Sequence, residues 1–157
     1  MFKILVLILI LYWIISAQNQ IFIIKVVDSS RLENKDISEV IASKFLESKK
    51  FYPVIYNAIG IERVANSNNY MDSGSICNLI DTLSKAQLFP SYILFYSVFK
   101  NKSEYSVSIR VVDTEKISIF GIIIANIPTI EYLHSSEILS NLIKKISLYA
   151  LKGSQVY

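Results

Sequence analysis

Cysteine occurs once in the 157 residues, at Cys77, and histidine once, at His134. A single cysteine excludes an internal disulfide framework and a thiolate-cage zinc site within one chain. A single histidine removes most histidine-dependent metal and triad chemistry. Charged residues are also scarce, at 18% against 52% hydrophobic, and mean hydropathy is +0.41. That balance excludes a disordered or low-complexity chain, which needs the reverse. A formal charge of +3 is too slight for nucleic acid, where clustered Lys and Arg are expected.

What is present begins with an apolar run. Met1-Phe2-Lys3 is a short positive start, Ile4 to Ile15 is unbroken apolar sequence, and Ser16-Ala17-Gln18-Asn19 follows. A charged start, an apolar stretch of this length and a small residue at its end read as a secretory signal peptide over residues 1–17. As a helix the run spans about 18 Å, short of a bilayer core of about 30 Å. Ile15 is large for the position three residues before a cut after Ala17. Tyr12 and Trp13 suit a membrane interface, so the alternative is a retained anchor. A lipobox is excluded, because no cysteine lies near the junction. The remaining residues, 18–157, read as one domain, long enough to bury a sizeable core.

Along that domain, Ile21 to Val27 is a β-branched run and reads as a buried strand, ending at the turn cluster Asp28-Ser29-Ser30. Ile37, Val40, Ile41 and Phe45 recur at helical spacing, and Lys49-Lys50 closes the helix. Phe51 to Tyr56 is a second strand, and Pro53 points to an edge or a strand start. Ala58 to Ala65 is weakly helical, and residues 66–75 read as a loop. Ile76, Leu79, Ile80 and Leu83 predict another helix. Tyr92 to Phe99 is an aromatic strand, followed by the turn Asn101-Lys102-Ser103. Tyr105, Val107, Ile109 and Val111 alternate with Ser106, Ser108 and Arg110, a strand with one apolar face. Ile117 to Ala125 is apolar on both faces and reads as an interior strand. Leu139, Leu142, Ile143, Ile146 and Tyr149 form the stripe of a closing helix, with Ser135 and Ser136 as cap candidates. The expected fold is α/β, a single mixed sheet flanked by helices in the order β-α-β-α-α-β-β-β-α.

This order carries a resemblance. The unit "ISEVIASKFLESKKFYPVIYN", the helix bearing Cys77, "YILFYSV" and the hairpin "YSVSIRVVD" together resemble the small exported α/β module shared by the TolB N-terminal domain, CsgG and LpoB. The resemblance covers Ile21 to about Ile124. It departs at Ser91 before the aromatic strand and at Tyr96-Ser97 within it, and the chain lacks the long hairpins of a CsgG-like pore. The resemblance implies a non-catalytic interaction module of a bacterial cell-envelope machine, exported to the periplasm.

The residues themselves give little chemistry. Cys77, between Ile76 and Asn78 on an amphipathic helix, is expected to pack as a small hydrophobe. His134 is expected at the surface, since one histidine alone makes neither a metal site nor a catalytic dyad. Asp28-Ser29-Ser30 lacks the glycines of a phosphate loop, and Asp113 and Glu115 read as a hairpin turn open to water rather than a paired-carboxylate cleft. Lys49-Lys50 and Lys144-Lys145 read as solvated faces, with anionic lipid or glycan as the other reading. The Asn101 sequon is expected to be unused in a bacterial chain. No cofactor and no metal are expected, and no enzymatic activity.

Partner-binding candidates are the loop residues Asn68, Asn69 and Tyr70, the strand residues Tyr92 and Tyr96, and Lys102 at the hairpin tip. Helices on both faces of the sheet would instead bury the aromatic strand. The expected partner is an envelope protein, not nucleic acid, with membrane contact only if Ile4 to Ile15 is retained. The alternative is a subunit of a membrane-associated homo-oligomeric secretion or structural assembly.

Overall fold

The computed structural model describes residues 19–28, 35–56 and 73–153. In chain order these form β1 (Asn19–Asp28), α1 (Lys35–Glu47), β2 (Phe51–Ile55), α2 (Ser73–Lys85), β3 (Tyr92–Asn101), β4 (Glu104–Asp113), β5 (Ser118–Ile127), α3 (Ile130–Ser135) and α4 (Glu137–Gly153). The strands make one five-stranded sheet in the order β2-β1-β3-β4-β5. β1 runs parallel to β2 and β3, while β3-β4 and β4-β5 are antiparallel. This is the expected mixed α/β sheet with flanking helices. The weak helix expected at residues 58–65 lies outside the described residues.

Topology decides which face each helix covers. The chain moves from β1 one way to β2, then back across β1 to β3. Parallel crossovers keep one hand, so moving in opposite directions puts their helices on opposite faces. The packing follows this rule. On one face, Ile37, Ile41 and Phe45 of α1 and Leu139, Leu142 and Ile146 of α4 join Ile21, Ile23, Leu94, Ile109 and Val111 in the larger core. On the other, Ile76, Leu79 and Leu83 of α2 bury Phe22, Ile24, Ile93 and Phe95.

A run of aromatic rings crosses the larger core. Phe45 meets Phe51 edge-on at 5.6 Å, Phe51 meets Tyr92 at 6.0 Å, and Tyr92 meets Phe120 at 5.7 Å. Phe120 then stacks on Tyr149 at 4.0 Å with the rings 9° apart. Edge-on contacts at 5.6–6.0 Å suit the ring quadrupole. The run ties α1, β2, β3, β5 and α4 into one unit.

Two local features differ from the sequence-based expectation. Ser73, Gly74 and Ser75 open α2 rather than ending a loop. A short helix, α3, precedes α4: Thr129 caps it by accepting the backbone N–H of Tyr132 at 3.3 Å, and Leu133 buries it against the core. Ser136 ends α3, its own N–H bonded to Tyr132 O at 2.8 Å, and the capping expected of Ser136 is thus for α3 at its C-terminus.

Scarcity of glycine, four in all, shows in the turns. Lys49, Gln87, Lys102 and Ile117 hold φ between 48° and 59°, the left-handed region where glycine is favoured. Gln87 closes α2 as a Schellman motif, with Leu88 N–H donating to Leu83 O and Gln87 N–H to Ser84 O, both at 2.9 Å. Ile117 is the costly one, because a β-branched residue in this region is strained. We expect Ile117→Gly to stabilise the fold by about 0.5–1 kcal/mol, the relieved strain being partly offset by glycine's extra unfolded freedom. A rise of about 2 °C in the unfolding midpoint would show it, and a fall would refute it.

Candidate functional site

α2 is one helix, and its cluster reaches β4 and β5 through Val112 and Ile119, at the end of the strands where Ile93 pairs with Val112. Beyond it, β3, β4 and β5 present three rows of paired residues: Phe95-Arg110-Ile122, Ser97-Ser108-Ile124 and Phe99-Ser106-Asn126. Alternation puts these side chains opposite the larger core. Phe95 ends under α2, whereas Ile122 is 55% exposed, Ile124 71% and Phe99 43%. Ser106, Ser108 and Arg110 between them are half-buried. The result is an amphipathic half-face, with a polar strip of two serines and an arginine bordered by exposed apolar side chains.

β5 bounds this half-face, and it is an edge strand, not the interior strand expected from its sequence. A strand apolar on both sides is ordinarily enclosed; here α4 encloses one side, and the other faces water. The two edges of the sheet contrast sharply. β2 is five residues long and carries Pro53, a short, proline-blunted edge as expected from that residue. β5 is ten residues long, SIFGIIIANI, with neither proline nor charge. Such an edge offers a row of backbone N–H and C=O groups to another strand.

The residues expected to contact partners fall differently. Asn68, Asn69 and Tyr70 lie outside the described residues. Tyr92 and Tyr96 are buried, at 7% and 2% exposure, within the larger core. Burial, with Asp113 adding to it, raises the Tyr92 hydroxyl above its ordinary pKa. Their rings supply packing because α1 and α4 cover the face they occupy. Lys102 is exposed at the β3-β4 hairpin tip, beside the end of β5 where Tyr105 pairs with Ile127.

Three other expectations were tested by placement. Cys77 is exposed, contrary to the packing expected of it. The buried stripe of α2 is Ile76, Leu79 and Leu83, and one residue's turn of about 100° carries Cys77 off it. Cys77→Ser is therefore expected to shift stability by less than about 0.5 kcal/mol, a surface value; a loss of several degrees in melting would contradict this placement. Asp113 is buried at 6% exposure and not open to water. Its Oδ1 accepts the backbone N–H groups of Glu115 at 3.0 Å and Lys116 at 2.9 Å, a local cap that folds the β4-β5 turn. His134 is at the surface as expected, in the last turn of α3, with Nε2 3.3 Å from Glu47 Oε1 and 3.5 Å from Ser43 Oγ.

Glu47 stands at the rim of a groove between α1 and α4. The groove is shallow and open to solvent, about 360 Å³ in volume, and is lined by Lys44, Glu47, Ser48, Lys50, Ser140, Ile143 and Lys144. Lys44 Nζ donates to Glu47 Oε2 at 3.1 Å, and this bond holds the Glu47 carboxyl below the usual carboxylate range. Among the described residues, no group of three or more His, Cys, Asp and Glu side chains could hold a metal ion. No described helix is long and apolar enough to cross a membrane.

No protein-family profile and no curated protein sequence matches this chain. Solved structures do. TolB from Acinetobacter baumannii superposes with a TM-score of 0.53 at 14% identity, over 82% of this chain and 28% of that one. The LpoB C-terminal domain from Salmonella enterica gives 0.48 at 9% identity, over 72% of this chain and 84% of that one. The lipoprotein GNA1162 from Neisseria meningitidis gives 0.41 at 16%, over 88% and 99%. This chain spans little more than a quarter of the length of TolB. The likeness to TolB is one of fold, as the sequence resemblance implied.

Proposed function

We propose that this chain is an exported, non-catalytic interaction module of a bacterial cell envelope, which docks a partner protein on the open half of its sheet. The supporting observation is the β5 edge: ten uncharged residues with Ile122 and Ile124 exposed beside it. Main-chain pairing along such an edge supplies affinity, and alternate side chains supply specificity. The sheet is rigid beneath, because both faces of its β1-β3 half are packed. The envelope reading is supported by the apolar run Ile4 to Ile15 and by the resemblance to the TolB, CsgG and LpoB module. The fold shared with TolB agrees with it.

The test is site-directed photo-crosslinking in the source cell. A crosslinking amino acid would replace Ile124, and for comparison Leu148, also exposed, on α4 (71% and 52%). An adduct with one envelope protein from position 124 and none from 148 is the expected result. An adduct of the chain with its own copy from position 124 would move the reading to the homo-oligomeric assembly. Equal adducts from both positions, or none from 124, would end the docking proposal.

A further inference from the structure

The α1-α4 groove holds three lysines against one glutamate, so a net charge of +2 gathers there in a chain whose formal total is +3. Glu47 is already engaged by Lys44 and His134. Lys50 and Lys144 have no ion-pair partner among the described residues, and Ser140 leaves a hydroxyl at the rim. Buried Ile143 lines the same groove. Two ammonium groups with no ion pair among the described residues, a hydroxyl and an apolar floor suit a group that is anionic at one end and apolar at the other.

Position narrows the class. Lys50 immediately precedes β2, and Phe51 of β2 pairs with Asn19, the first residue of β1. The groove therefore opens at the end of the sheet where the chain arrives from its N-terminal sequence. Only Ser16, Ala17 and Gln18 separate Asn19 from the apolar run Ile4 to Ile15, and three residues reach at most about 10 Å. With the run in a membrane, this end of the sheet stays within about a Debye length of the lipid surface.

We propose that the Lys44-Lys50-Lys144 groove takes the phosphate of an anionic phospholipid headgroup and seats the domain on the membrane surface beside a retained Ile4 to Ile15. Lys50 and Lys144 hold the phosphate oxygens, Ser140 donates to one of them, and Ile143 meets the glycerol carbons. This orientation leaves Lys102, at the far end of the β3-β4 hairpin, pointing away from the lipid. The proposal is independent of the β5 partner surface, which the crosslinking experiment tests separately.

The experiment uses the full chain in phosphatidylcholine vesicles with and without phosphatidylglycerol. Lysine acetylation by an amine-reactive ester is followed at each site by mass spectrometry, with Lys102 as internal reference. We expect Lys50 and Lys144 to react at least about fivefold more slowly in the anionic vesicles, with high salt removing the difference as it screens the surface. Equal rates in the two vesicles would overturn the proposal. Equal protection by inorganic phosphate in neutral vesicles would also overturn it, in favour of a free-phosphate site. So would recovery, from source-cell membranes, of a chain whose intact mass lacks residues 1–17.

Discussion

Replacing Phe51 by alanine is expected to cost about 3–5 kcal/mol of folding stability, the range for deleting a buried phenylalanine ring. Phe51 is fully enclosed, and it stands second in the aromatic run, touching Phe45 of α1 on one side and Tyr92 of β3 on the other. Its loss opens a cavity between α1 and the sheet, and the hydrogen-bonded sheet resists collapse into it, so much of the cavity term is retained. Total stability of a domain is about 5–15 kcal/mol, so about a fifth or more of it rides on one ring. The unfolding midpoint should fall by about 10 °C or more. Phe89→Ala, at a ring 71% exposed, serves as the control and should stay within about 0.5 kcal/mol of the parent. Similar losses at both positions would contradict the core described above.

The second large effect is on binding rather than folding. Ile122→Lys with Ile124→Lys should reduce partner affinity by at least tenfold to a hundredfold, with the unfolding midpoint unchanged. Burying an isoleucine fully yields about 1.5–3 kcal/mol, and these two side chains are more than half exposed in the free chain. Covering them should therefore give roughly 2 kcal/mol together, and the lysines would have to be desolvated as well. Each 1.4 kcal/mol is a factor of ten in affinity. Lysine on an edge strand also blunts strand addition. Titration of the crosslinked partner, once isolated, against parent and variant checks this. Unchanged affinity would remove β5 from the docking surface.

Several elements were legible in the sequence for direct physical reasons. Alternation at Tyr105 to Val111 fixes β4, because period two has no helical reading. The stripe Leu139, Leu142, Ile143 and Ile146 fixes α4, and all four side chains are buried. Pro53 pointed to an edge or a strand start, since it cannot donate to a ladder, and β2 is an edge. Hidden elements have reasons too. α3 is six residues long, less than two turns, so no periodicity accumulates; Thr129 after Pro128 was its only signal.

Residue type and spacing therefore determined the types of the longer described elements and the α/β class. What they could not determine is which surfaces remain once the layers assemble. Tyr92 and Ile124 are both apolar strand residues, yet one is in the core and the other in water. That outcome depends on how far α1, α4 and the single helix α2 reach across a five-stranded sheet, and on which strand ends the row. Both are set by crossover handedness and strand order, which are relations between elements far apart in sequence. The groove of Lys44, Lys50 and Lys144 arises in the same way, from two helix segments about a hundred residues apart that meet only because the sheet between them is folded.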